Sequence, residues 1–224
     1  MDTQTKNKEL RVIEERIKLG IPYDDPKLFF AYPAYGPNTY AQVGELITKA
    51  NLIKPTMADT VDLVHAAFHS DDKYSKEIRE IMKNYWLWAF TGNHYIPGKG
   101  VYIAPDPEIR NGRPFMEESE LVKRLEAHDP SVRFVPFGFK TGEMTPNELS
   151  RNPYILALVG EERAEKLVEI ASKHKNKPYL LGVTSVDRPS TRVSALYSGW
   201  LVHRLGVYGY VGGGLYTGGY ALGV

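Results

Sequence analysis

The sequence predicts an α+β fold, an N-terminal helical region packed with a C-terminal antiparallel β-sheet. Three observations carry that expectation. Apolar residues recur at helical spacing behind clear capping signals from residue 7 to about residue 90. From Lys177 onward the apolar period becomes two. No internal repeat and no long linker divides the chain, so a single compact domain is expected over residues 1–224, helical over 7–90, mixed over 91–176 and antiparallel over 177–224.

Taken in order, Leu10, Ile13 and Ile17 predict a first helix, stopped by Leu19-Gly20 and Pro22. The proline- and aromatic-rich segment IPYDDPKLFFAYPAYGPN reads as a rigid, partly buried connector. Thr39 with Gln42, and Thr56 with Asp59, have the spacing of capping boxes, in which hydroxyl and N3 side chain satisfy each other's free backbone donors. They open helices that bury Val43, Leu46, Ile47 and Ala50, then Val61, Val64 and Phe68. Ser70-Asp71-Asp72 begins another helix with negative charge at its N-terminus, carrying Tyr74, Ile78, Ile81, Met82, Tyr85 and Trp88 on one stripe until Thr91-Gly92-Asn93.

Val101-Tyr102-Ile103 then predicts a short strand, PDPEIRNGRP an exposed loop, and Leu121, Val122 and Leu125 a helix. Val132 to Phe137 reads as an edge strand because Pro136 cannot donate to a ladder. Thr145-Pro146-Asn147-Glu148 and Asn152-Pro153 are helix starts, and Ala164, Leu167, Val168 and Ala171 face inward on the helix from Glu161. PYLLGV, TRVSALYS and LVHRLGVYGYV are strand-like, with Ser198-Gly199 between the last two. Leu215, Tyr216, Tyr220, Ala221 and Leu222 are apolar enough that the Gly-rich tail is expected to dock on this sheet from Leu215 to Leu222.

Composition removes whole classes of function. A hydrophobic fraction of 42% excludes a disordered chain, and a net charge of +1 gives nucleic acid or acidic membrane no global attraction. The absence of cysteine excludes disulfides, thiolate nucleophiles and cysteine-ligated metal centres. The polar N-terminus lacks a signal-peptide core, and no apolar run reaches the roughly 18 residues of a membrane span, so a soluble cytoplasmic protein is expected. Fifteen tyrosines, eight phenylalanines and three tryptophans are the one excess, suited to core packing or to a stacking surface.

Candidate chemistry concentrates between Ala58 and Ala104. Helical steps place Asp62, His65 and His69 within about 60° on one stripe, where two imidazoles at i, i+4 and a carboxylate could share a divalent metal. His94, expected in the loop after the next helix, is the candidate fourth ligand. Ala66 stands where the HExxH motif of metalloproteases has its general-base Glu. Gly92 to Gly100 misses the P-loop spacing by one residue, has Gly100 in place of the magnesium-binding hydroxyl, and precedes a strand rather than a helix. Gly98 to Ala104, GKGVYIA, is similar over its seven residues to the turn-and-strand segment of poly(ADP-ribose) polymerase-like transferases. That family's upstream His-Gly pair is absent, with Ala67-Phe68-His69-Ser70 in that region, so no transferase residue is carried over.

Arg188, Arg192 and Arg204 lie among aromatic strands, a combination that suits nucleic acid. No catalytic triad or GxSxG elbow is present, so no catalytic residue is assigned. The function this supports best is a binding or protein-interaction module, with a protein partner or a second copy as its ligand and no membrane. The alternatives are a metal-assisted hydrolase centred on His65, His69 and His94 with a divalent metal as cofactor, and nucleic-acid binding through the C-terminal hairpin.

Overall fold

The computed structural model describes residues 17–21, 28–199, 203–212 and 218–224. Three short strands come first: β1 (Ile17–Gly20), β2 (Phe29–Tyr32) and β3 (Tyr35–Asn38). Helices α1 (Tyr40–Lys49), α2 (Met57–Phe68) and α3 (Lys73–Asn84) follow, each begun by the expected cap. Thr39 and Thr56 close capping boxes with Gln42 and Asp59, and the Asp72 carboxylate accepts from the Tyr74 and Ser75 amides.

The middle of the chain runs β4 (Trp86–Ile96), β5 (Gly100–Pro105), β6 (Glu108–Arg110), β7 (Arg113–Phe115), α4 (Glu118–Glu126), β8 (Arg133–Pro136) and β9 (Gly142–Glu143). Short helices α5 (Pro146–Ser150) and α6 (Pro153–Val159) lead into α7 (Glu161–Ser172). Strands β10 (Tyr179–Leu181), β11 (Ser190–Tyr197), β12 (Gly206–Val211) and β13 (Gly219–Ala221) complete the order.

Helices and strands are thus both present as the α+β expectation requires, but the strands are not confined to the C-terminal end. The stretch read as the end of a Trp-rich helix is β4, an eleven-residue strand at the centre of the sheet. Trp88 matches a helical stripe only because Leu87 to Gly92 are all buried, while Tyr85 ends α3 and is exposed. A central strand covered on both faces shows a continuous apolar run in which both periods can be found. His94 accordingly lies in a strand and not in a loop. Part of the connector around Pro33 forms β2 and β3, and residues 22–27 lie outside the described residues. Leu10 and Ile13 of the predicted first helix also lie outside them, while Ile17 begins β1. The expected exposed loop is a β6–β7 hairpin turning at Asn111-Gly112, both at positive φ, as a tight two-residue hairpin needs.

Nine strands form one mixed sheet with the path β3-β13-β4-β11-β12-β10-β9, and β5 and β8 extend it beside the second half of β4. β11 is antiparallel to β4 and β12, as the alternation predicts. Contrary to an all-antiparallel C-terminal sheet, β10 runs parallel to β12 and β13 parallel to β4. Pairing of that kind is invisible to local pattern, since it joins segments far apart in sequence.

The sheet has two differently used faces. Leu87, Leu196, Val207 and Leu180 are cross-strand neighbours and belong to the main core, which also holds Val61, Val64, Ile81, Leu158 and Leu167 from the helices. On the opposite face Trp88, Phe90, Val193 and Ala195 pack under Tyr40, Val43 and Ile47 of α1. Gly219 fits against the Trp88 indole, where any Cβ would overlap the ring. The glycine of the tail thus marks a close packing contact, and the described part of the tail is a strand inside the sheet. Leu215 and Tyr216 lie outside the described residues.

Candidate functional site

Beyond the edge of α1, the same face of the sheet carries Trp86, Tyr197, Tyr208 and Tyr179. They share it because Ala195 pairs with both Trp88 and Tyr208, and residues two apart on a strand point the same way. The Trp86, Tyr197 and Tyr208 rings form one connected cluster. Trp86 stacks parallel to Trp88 at 5.9 Å, meets Tyr208 edge-on at 4.7 Å and lies 5.2 Å from Tyr197. Tyr197 and Tyr208 are 6.3 Å apart and nearly perpendicular. Gly206 has no side chain where the Tyr208 ring lies along the strand, and a Cβ there would overlap it.

Trp88 is fully buried, whereas Trp86, Tyr179, Tyr197 and Tyr208 keep part of their surface in solvent. Burial raises the Tyr208 phenol above its ordinary pKa, with Tyr197 and Tyr179 adding to the rise and Arg204 opposing it, so this hydroxyl is uncharged at neutral pH. The Arg204 guanidinium stands 5.4 Å over the Tyr179 ring and 3.3 Å from a Glu143 carboxylate oxygen. This arrangement offers apolar ring surface edged by hydroxyls and one guanidinium.

The residues of the metal expectation separate into three environments. Asp62 is buried, its two carboxylate oxygens taken by Arg163 Nε at 2.6 Å and Lys166 Nζ at 2.8 Å. His94 is also buried; its Nδ1 lies 2.9 Å from the Thr191 hydroxyl, and burial lowers its pKa, keeping the ring neutral. Only His65 and His69 come together, and the carboxylate they meet is Glu169 of α7, not Asp62. Glu169 was not legible as a partner because the packing of α7 on α2 is a tertiary fact.

The Asp62 pair yields a stability prediction. Removing one member of a buried ion pair costs about 3–5 kcal/mol when it leaves a charge stranded in the interior. Arg163 and Lys166 retain access to water, with side chains 32% and 17% exposed. Asp62→Ala should therefore cost only about 2 kcal/mol, and the double variant Arg163→Met, Lys166→Met, which strands the carboxylate, should cost more. Urea unfolding checks the order; a double variant as stable as the parent would show the carboxylate is rehydrated.

A second buried polar group sits at the β4–β11–β12 irregularity. The Tyr154 hydroxyl donates to Asn93 Oδ1 at 2.7 Å, Asn93 Nδ2 donates to Ser194 at 2.8 Å, and the Tyr95 hydroxyl donates to the Gly209 carbonyl at 2.9 Å. Gly209 is required here because a Cβ would overlap the Tyr154 hydroxyl. These bonds satisfy the polar atoms where the ladder is interrupted, which is a structural role.

Of the predicted basic residues, Arg192 stacks on Tyr210 at 4.7 Å and pairs across the ladder with Asn93, on the side of the main core. Arg204 lies over Tyr179 on the other side, and Arg188 is exposed in the connection before β11. Arg192 and Arg204 therefore do not share a face. No helix among the described residues is long and apolar enough to cross a membrane.

A mixed sheet with α1 on one face, α2, α3, α6 and α7 on the other, and a terminal strand returning to the centre beside β4 define a class by architecture. No protein-family model matches the sequence, and no curated protein matches it by sequence. A solved structure reported as "Accommodation of massive sequence variation in Nanoarchaeota by the C-type lectin fold" superposes with a TM-score of 0.58. It is 17% identical, with 94% of this chain and 99% of that chain covered. The likeness is one of fold: the chain is similar to the C-type lectin fold over nearly its whole length.

Proposed function

We propose that this chain is a binding module whose protein partner docks on the aromatic face formed by Trp86, Tyr197, Tyr208 and Tyr179, with Arg204 at its border. The observation that carries this reading is the connected, half-exposed ring cluster on one side of the sheet. Trp, Tyr and Arg dominate the energetics of protein interfaces because they bury large, rigid, amphipathic surface at low cost in side-chain entropy. The scaffold supports the same reading. Leu87, Leu196 and Val207 hold the sheet from its other face, so the displayed rings can change without emptying the main core. The similar solved structure is described as a C-type lectin fold that accommodates massive sequence variation, and such a division of labour between faces is what that requires.

The test is a selection of immobilised full-length chain against a displayed library of folded protein domains. Binders should lose about 100-fold or more in affinity for a Tyr197→Ala, Tyr208→Ala variant, because each central aromatic of an interface is worth about 2 kcal/mol or more. Circular dichroism must show that variant folded. Binders that hold the variant as tightly as the parent would place the interface elsewhere. Self-association lost in the variant would make the partner a second copy.

A further inference from the structure

We propose that His65, His69 and Glu169 form a site for one divalent cation of the zinc class, joining α2 to α7. The three donors converge on one point of the surface. Glu169 Oε2 lies 2.9 Å from His65 Nε2 and 3.4 Å from His69 Nε2, and a ligand atom from each residue falls within 4.8 Å of the others. A tetrahedral ion with bonds of about 2.0–2.1 Å places its donors about 3.3 Å apart, so two of the three edges are near that value. The histidine rings sit 4.3 Å apart, as i, i+4 residues on one helix face do, and both retain solvent access through which a small rotation can close the remaining edge.

The hydrogen-bond pattern also orients one imidazole toward the site. His69 Nδ1 lies 2.8 Å from the His65 carbonyl oxygen, which can only accept, so Nδ1 carries the proton. In the neutral ring the lone pair is then on Nε2, facing the carboxylate oxygen at 3.4 Å. That lone pair and the carboxylate oxygen face a common point, as two ligands of one cation do. A backbone carbonyl holding the remote ring nitrogen is also the arrangement that orients metal-ligating histidines. The ligand set of two imidazoles and one carboxylate, without sulfur, suits zinc and its first-row neighbours rather than calcium or magnesium. Three protein ligands leave one position open for water or for a donor from a partner.

Chelator-treated full-length protein titrated with zinc chloride provides the test. Calorimetry should give one zinc per chain, and melting temperature should rise with the logarithm of free zinc, since an ion that binds only the folded state stabilises it by mass action. Of the six histidines, the ring nitrogens of His65 and His69 should be the pair whose NMR resonances shift. Glu169→Gln and His69→Ala should each weaken binding at least tenfold, while His94→Ala and His174→Ala should leave it unchanged. Absence of heat and of any melting shift would overturn the proposal. So would uptake that Glu169→Gln does not weaken, or resonance shifts confined to other histidines.

Discussion

A chain ending at Gly212 is expected to lose its fold. The removed segment contains β13, which lies between β3 and β4 and has ladder partners on both sides. It also contains the residues that tie the end of the chain down. Val224 exchanges two backbone hydrogen bonds with Ile53, each 2.8 Å, and the Gly223 carbonyl accepts from the Ala31 amide at 2.8 Å. Ala221 and Leu222 are completely enclosed. Losing a buried leucine alone costs about 2–5 kcal/mol, and each buried backbone group left without a partner adds about 1–3 kcal/mol. The sum is comparable with the entire stability of an ordinary domain, about 5–15 kcal/mol. The truncated protein should therefore be unfolded or aggregated at room temperature by near-ultraviolet circular dichroism and sedimentation. A soluble monomer that melts like the full chain would show that β3 and β4 hold without β13.

Trp88→Ala is expected to be the most damaging single substitution, at about 3–5 kcal/mol, because it empties a large fully enclosed volume in a rigid strand. Trp88 packs edge-on to Tyr40, stacks on Trp86, fills the space left by Gly219 and donates its indole N–H to the Asn38 carbonyl at 3.2 Å. For a protein of this size that loss corresponds to a fall of about 6–20 °C in melting temperature. Trp86→Ala, two residues away on the same face but half-exposed, should cost distinctly less. Thermal melts of the two variants side by side test the division between scaffold and displayed surface on which the proposed function rests. Equal losses would mean that the displayed rings are themselves structural, and Tyr197 and Tyr208 would then be poor reporters of binding.

Local chemistry was readable wherever a few neighbouring residues decide the outcome. Thr39, Thr56, Asp72, Thr145 and Asn152 each begin a helix because their side chains can reach backbone donors two or three residues ahead, whatever surrounds them. Pro136 likewise sits in an edge strand, since it has no N–H to give to a second neighbour. The histidine stripe was equally local, and His65 and His69 do adjoin. Their carboxylate was not, because Asp62 and Glu169 compete for roles that depend on where α7 lies. Asp62 faces Arg163 and Lys166, and Glu169 faces the imidazoles.

The sequence by itself thus determined the α+β class, the helix starts and the alternation of β11 and β12, all set by interactions within a few residues of one another. Tertiary structure alone decided that WLWAFTGNHYI is the central strand, that the tail returns parallel to it, and that Trp86, Tyr179, Tyr197 and Tyr208 share one face. The physical reason is the same in each case. When both sides of a segment are buried, periodicity no longer separates strand from helix. Which apolar surfaces cover each other is then settled by pairings between residues up to more than a hundred positions apart, as between Trp86 and Gly219.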